Sequence, residues 1–186
     1  MLDCQDHIIG SVEEGRDYYY GIYIGYDDET LTDITIRNCE IRDLSRGIEI
    51  NNAENILLKN LDIHSNLNTG IRIDESRNVE ITGSNIENNN GRGIALDESL
   101  NINITENEIN NNLDSGVEML DSMDNIIYNN NINNNQEGIR LRGDSSGNEI
   151  TDSIIMNNNV DIEISSWNNE MCNNLIEGNT GTGNKP

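Results

Sequence analysis

The stretch Gly70-Ile-Arg-Ile-Asp-Glu75 returns as Gly93-Ile-Ala-Leu-Asp-Glu98, displaced by 23 residues. Its first four positions recur upstream as Gly47-Ile-Glu-Ile50. Downstream they recur as Gly116-Val-Glu-Met119, Gly138-Ile-Arg-Leu141 and the weaker Asp161-Ile-Glu-Ile164. An earlier copy, Gly21-Ile-Tyr-Ile24, stands 26 residues before Gly47, the extra length falling in Tyr26-Asp-Asp-Glu-Thr30. A second phrase runs in step with the first: Ile34-Thr-Ile36, Ile56-Leu-Leu58, Val79-Glu-Ile81 and Ile102-Asn-Ile104. A third apolar position repeats at Ile41, Ile63, Ile86, Ile109, Ile132 and Ile155. Short alternating segments rich in Ile read as strands and are too short for helices. Three strands in each period of about 23 residues describe one turn of a solenoid.

The fold class is therefore all-β. A single right-handed parallel β-helix of about seven coils should occupy residues 1–180, with 181–186 as a flexible tail. Each strand should pair with its equivalent one coil away, about 4.8 Å distant. Gly47, Gly70, Gly93, Gly116 and Gly138 should then stack in one column. Asn88, Asn111, Asn134 and Asn157 keep the same period, as do Asn89, Asn112, Asn135 and Asn158. Asn tolerates the left-handed backbone of tight turns, and stacked amides can hydrogen-bond from coil to coil.

Only 34% of the 186 residues are hydrophobic and Phe is absent, which suits a thin, elongated core. The net charge of −23, from 11 basic and 34 acidic residues, argues against nucleic-acid partners and anionic membranes. No apolar run reaches the 18 residues of a spanning helix, so membrane insertion is not expected. The residues after Met1 do not read as a signal peptide. Cys4 and Cys39 fall at related turn positions of adjacent early coils. They should be neighbours able to bridge if the chain is exported, leaving Cys172 alone. Asn103-Ile-Thr105 matches a glycosylation acceptor, a pattern common by chance in an Asn-rich chain.

The opening Leu2-Asp-Cys-Gln-Asp-His-Ile-Ile-Gly10 and the phrase Ile36-Arg-Asn-Cys-Glu-Ile41 resemble early coils of the parallel β-helix repeat proteins. These are the proteins grouped with carbohydrate-binding and sugar-hydrolysis domains, and the chain is similar in particular to their NosD-like branch. The resemblance implies a pectin lyase-like solenoid, a polysaccharide or cell-surface glycan as partner, and an extracellular, cell-surface or periplasmic location. It also implies an N-terminal cap that is missing here, to be supplied by neighbouring coils of a longer chain or by a capping partner. For the NosD-like branch it implies copper delivery, which wants clustered Met, Cys or His. Met119 and Met123 are the nearest approach.

Two sets of residues could carry chemistry. The outward position of the first strand holds Tyr23, Glu49, Arg72, Ala95, Glu118, Arg140 and Glu163. It reads either as a ladder of surface ion pairs, Glu49 beside Arg72 and Arg140 between Glu118 and Glu163, or as a glycan-binding groove. In the groove reading Tyr23, Glu49, Arg72, Glu118 and Arg140 are the contacts, the arginines meeting uronate carboxylates. Just beyond lie Asp74-Glu75, Asp97-Glu98 and Asp121, read as matching positions on three successive coils. They form either a solvated acidic edge or a calcium site, calcium being the one candidate cofactor. Tyr18, Tyr19, Tyr20, Tyr23 and Tyr26 cluster as a sugar-stacking platform or as packing over the first coil.

The enzyme signatures of the resembled family are thin. Only Asp27-Asp28 hints at the polygalacturonase aspartates, and the Asp-Pro-His-Asp motif of mannuronan epimerases is absent, the sole proline being Pro186. Arg72 and Arg140 are weak candidates for a lyase base, since ion pairing keeps a guanidinium protonated. His7 and His64 lie on different coils. The leading expectation is a non-catalytic surface or secreted module, a scaffold or glycan binder. The alternatives are a lyase, epimerase or hydrolase fragment acting on acidic polysaccharide, and a NosD-like periplasmic maturation factor.

Overall fold

Strands stacked in parallel build the whole of the described chain in the computed structural model, which describes residues 1–10, 19–25 and 29–177. The expectations for Tyr18, Tyr26, Asp27-Asp28 and the 181–186 tail lie outside these residues. The first face stacks seven strands: Tyr20–Ile24, Arg46–Asn51, Ile71–Asp74, Ile94–Asp97, Ser115–Leu120, Glu137–Arg142 and Val160–Ile164. The long strand Leu31–Arg42 bends across two faces. It pairs with Ala53–Lys59 through its first half and with Asp62–His64 through its second. The second and third faces are thereby joined into one 14-stranded sheet. The expected solenoid of about seven coils is what the chain forms.

The inward positions carry the core. Ile48, Ile71, Ile94, Val117 and Ile139 stack on the first face, and Ile41, Ile63, Ile86, Ile109, Ile132 and Ile155 on the third, all fully buried. The glycine column stands where the chain leaves the third turn. A Cβ on Gly93 would meet the Gly116 carbonyl oxygen at 2.7 Å, Ile109 Cγ2 at 2.8 Å and Asn112 Nδ2 at 2.9 Å. Crowding by the neighbouring coil, rather than an unusual dihedral, selects glycine there.

The turns repeat as regularly as the strands. Asn88, Asn111, Asn134 and Asn157 all adopt positive φ, between 55° and 57°. The next residue in each turn, Asn89, Asn112, Asn135 or Asn158, points inward and is buried. Asn112 Oδ1 accepts from the Asn89 backbone N–H and amide Nδ2, at 3.2 and 2.9 Å. Asn112 in turn donates its own N–H and Nδ2 to Asn135 Oδ1, and Nδ2 also donates to the Ile86 carbonyl. Each amide thus satisfies backbone groups that a tight buried turn would orphan. Asn107 and Asn130 form a second ladder, Asn125, Asn148 and Asn169 a third, and Ser76, Ser99, Ser122 and Ser145 a hydroxyl ladder.

One ladder closes on itself. Asp161 takes the place of the next glycine, and its Oδ1 accepts from the Asn158 N–H and Nδ2 within the same turn. Asp161 Oδ2 is buried without a hydrogen-bond partner, and burial pushes its carboxyl above the usual range.

The cysteines meet as expected: Cys4 and Cys39 form a disulfide with a Cα separation of 4.9 Å. Both lie in strands rather than in turns. Leu2–Gly10 pairs in parallel with Leu31–Arg42, and an irregularity between Asp3 and His7 brings Cys4 over the buried Cys39. Gln5 and Asp6, both at positive φ, make that irregularity. Cys172 is free.

Two substitutions test these ladders. Asn112→Ala removes the shared acceptor for two donors of the preceding coil. It should lower stability by about 1–3 kcal/mol, read from denaturant midpoints. Asp161→Asn should do the opposite at neutral pH. The folded carboxyl titrates above its unfolded value, so the wild type loses stability as pH rises through that window. The neutral amide removes this loss, and the two melting temperatures should converge below about pH 3.8. Equal pH profiles would mean that Asp161 is not held in a dry site.

Candidate functional site

Register assembles the outward row of the first face as the repeat predicts. Tyr23 pairs with Glu49, Glu49 with Arg72, Arg72 with Ala95, Ala95 with Glu118, Glu118 with Arg140 and Arg140 with Glu163. The ion pairs do not simply follow this row. Glu49, 7% exposed, accepts from Arg46 Nη1 at 2.7 Å and stands 3.9 Å from Arg72 Nε. Arg72 leans the other way, its Nη2 lying 3.1 Å from Asp74 Oδ2 and 3.2 Å from Asp97 Oδ2. Glu118, 4% exposed, pairs with Arg92 at 2.5 Å and with Arg142. Arg140 pairs with Glu137 and Glu163, not with the Glu118 expected beside it. A guanidinium reaches past its strand neighbour, so arginines flanking the row compete for its carboxylates.

Ala95 is the one small side chain in that row. The gap it leaves opens a groove of about 150 Å³, lined by Arg72, Arg92, Asp97, Glu118, Arg142 and Asn68. Two buried glutamates brace it symmetrically, Glu49 gripping Arg46 on one side and Glu118 gripping Arg92 and Arg142 on the other. Sequence reasoning weighed Arg142 only as a companion of Arg140 and passed over Arg46 and Arg92. The signal for these two was present: each precedes the column glycine, at Gly47 and Gly93.

The electrostatics of the groove are set by crowding. Burial, then the neighbouring Asp74 carboxylate, pushes the Asp97 carboxyl above its ordinary range, and Arg72 only partly offsets them. Burial also opposes ionisation of Glu118, yet hydrogen bonds from Arg142 and Arg92 hold its carboxyl below the usual value. In return Glu118 raises Arg142. Arg72 and Arg140 are both ion-paired, which suits clamping and not proton abstraction.

The acidic row needs correction. Asp74 and Asp97 are partners, but Asp97 pairs next with Leu120. Asp121 falls one position later, in the turn column of Glu75 and Glu98, all three at positive φ between 45° and 49°. Asp74 and Asp97 stand four residues past their glycines, whereas Asp121 stands five past Gly116. Among the described residues no three His, Cys, Asp or Glu side chains gather as a metal site. The cation between Asp74 and Asp97 is the Arg72 guanidinium.

At the N-terminal end of the same face, Tyr20 and Tyr23 stack with ring centroids 5.6 Å apart, and Arg46 lies over Tyr20 at 5.7 Å. Both rings, and Tyr19, are exposed. The histidines stand elsewhere: His7 contacts the Cys4 carbonyl and His64 faces Glu40 on the third face. Met119 is fully buried in the core while Met123 is exposed.

A family model described as "Right handed beta helix region" matches residues 20–181. The chain belongs to the right-handed β-helix family. None of the curated proteins matches it significantly. Among solved structures it is similar to the periplasmic alginate epimerase AlgG, with a TM-score of 0.73 at 18% identity, covering 84% of this chain and 42% of that one. It is similar also to the A-module of the Azotobacter vinelandii mannuronan C-5 epimerase AlgE6. The TM-score there is 0.67 at 14% identity, covering 85% of this chain and 57% of that one. A third similar structure is DFA-IIIase from Arthrobacter chlorophenolicus A6 in complex with GF2, at TM-score 0.66 and 16% identity, over 84% of this chain and 46% of that one. The chain thus spans about half the length of these β-helix proteins, and at such identities the likeness is one of fold.

The groove makes its own prediction. Because the folded Asp97 carboxyl titrates above its unfolded value, its ionisation costs stability as pH rises through the interval between the two. Asp97→Asn should therefore raise the melting temperature at pH 7 and leave it unchanged in acid below the ordinary carboxylate range. A lower melting temperature at pH 7 would mean that the Arg72 bridge outweighs the crowding.

Proposed function

We propose that this chain is the saccharide-holding β-helix of a polysaccharide-processing protein, with a glycan lying lengthwise along the first face. The observation that carries this reading is the Ala95 groove, where paired arginines and carboxylates surround a gap in an otherwise continuous row. Such a gap, flanked by fixed polar groups, suits a sugar ring and its hydroxyls. The exposed Tyr20–Tyr23 stack in line with it offers an aromatic surface for a second ring. The similar structures support the reading by their names, which include polysaccharide epimerases. The Cys4–Cys39 disulfide supports an oxidising compartment, hence periplasmic or extracellular.

Catalysis within this segment is a second reading, resting on Asp74 and Asp97. Both contact one nitrogen of Arg72, at 3.1 and 3.2 Å. Their oxygens are therefore closer than the about 6.5–9.5 Å of an inverting glycosidase pair. A carboxyl pushed upward by burial beside a second carboxylate, as Asp97 is beside Asp74, is the pattern of a general acid. No His or Lys joins the groove lining, so acid-assisted hydrolysis fits better than elimination, which needs a base for a carbon-bound proton.

Affinity electrophoresis through gels containing soluble polysaccharides tests the first reading. Migration should be retarded by at least one, and Ala95→Leu should abolish the retardation while keeping the wild-type melting temperature. Unaltered migration in every gel would remove the proposal. Reducing-end release that disappears in Asp97→Asn would establish the second reading, and the segment is expected to bind without such release.

A further inference from the structure

The sign of the ligand follows from how the groove spends its charges. The eight arginines among the described residues are all ion-paired to protein carboxylates. In and around the groove, Arg46, Arg72, Arg92 and Arg142 face Glu49, Asp74, Asp97 and Glu118. With Asp114, which also pairs with Arg92, four positive groups meet five negative ones, inside a chain of net charge −23. Every guanidinium already faces a carboxylate, and the one spare buried donor in the groove, Arg142 Nε, belongs to an arginine paired with Glu118.

We propose that the groove over Ala95 takes a neutral, hydroxyl-rich saccharide and excludes uronate chains. The inference rests on the reading of this face as a glycan site. A uronate carboxylate entering the groove has two options. It can displace a protein carboxylate from its arginine, leaving a charge half-buried and unpaired, or it can add a further negative charge to a cluster in which carboxylates already outnumber arginines. Both are unfavourable where solvent is partly excluded. Glu118, at 4% exposure, is gripped from two sides by Arg92 and Arg142. Burial, and after it the Asp74 carboxylate, raise the Asp97 carboxyl at the same place, so a second anion beside it meets both costs. A sugar hydroxyl has neither problem. It donates to a carboxylate lone pair and accepts from a guanidinium N–H at once, keeping every pair intact. Each arginine has five N–H donors, more than its ion pairs use. The exposed Tyr23 ring adds an aromatic surface at the end of the same row.

Isothermal titration of the whole chain with two ligand sets decides the matter. One set holds neutral cello-, laminari-, manno- and xylo-oligosaccharides. The other holds oligomannuronate, oligoguluronate and oligogalacturonate. Both are run with EDTA at low and high sodium chloride, and again with calcium. At least one neutral oligosaccharide should bind, with affinity unchanged by salt and lost in Ala95→Leu. The uronates should bind at least about tenfold more weakly, a difference of about 1.4 kcal/mol. Uronate binding in EDTA that exceeds every neutral ligand overturns the inference while leaving the glycan site standing. Uronate binding that appears only with calcium also overturns it, since the anion then enters through a metal bridge. Absence of binding by either set removes the glycan reading itself.

Discussion

The buried asparagine amide holds this solenoid together at its corners. A chain that turns three times in every 23 residues must bury backbone N–H and carbonyl groups at each bend, where strand pairing cannot reach them. Asn89, Asn112 and Asn135 supply acceptors and donors at one depth in successive coils, each serving the coil before it. Unsatisfied buried amide groups cost about 1–3 kcal/mol each, and several such ladders run along the rod. The apolar columns fill the interior, yet a column of Ile by itself does not fix where a turn falls. The amide ladder does, and it locks the coils to a common phase.

That common phase explains the site. Once coils are in register, an outward residue stands about 4.8 Å from its counterpart, and one alanine among larger residues becomes a notch in a wall. The walls stay in place because Glu49 and Glu118 are buried beneath the arginines they bind. Charge that would be cheap on an open surface is committed here to shape. Surface ion pairs contribute little stability, and their interest in this chain lies in where they hold the guanidinium planes.

The fold was legible because it is written in period. The Gly47–Gly138 column and the inward Ile follow from spacing alone, and a one-residue slip would have put them outside. The site was less legible for two reasons. Long side chains do not obey the row they start from, so Arg140 left Glu118 to Arg142 and Arg92. Counting along the chain also placed Asp121 beside Asp97, although it stands one residue further from its glycine and turns with Glu98 instead. A carboxylate's role depends on which face of the backbone it leaves, and that is fixed by the strand's end, which the repeat marks less sharply than its beginning. The partnership of Cys4 and Cys39 was readable from coil position, whereas the irregular strand that brings them together was not.

The disulfide gives the rod a direction of failure. It fastens Leu2–Gly10 to Leu31–Arg42, so the entry coil cannot unwind without first opening a covalent loop. Among the described residues the opposite coils have no such fastening: Leu175–Glu177 is held through Ile154–Met156 by backbone pairing, and Cys172 is free. Under tension or protease attack the described coils held by pairing alone should give way before the bridged one. The Ala95 notch, four strands into the seven-stranded first face, stands among those unbridged coils and would go with them.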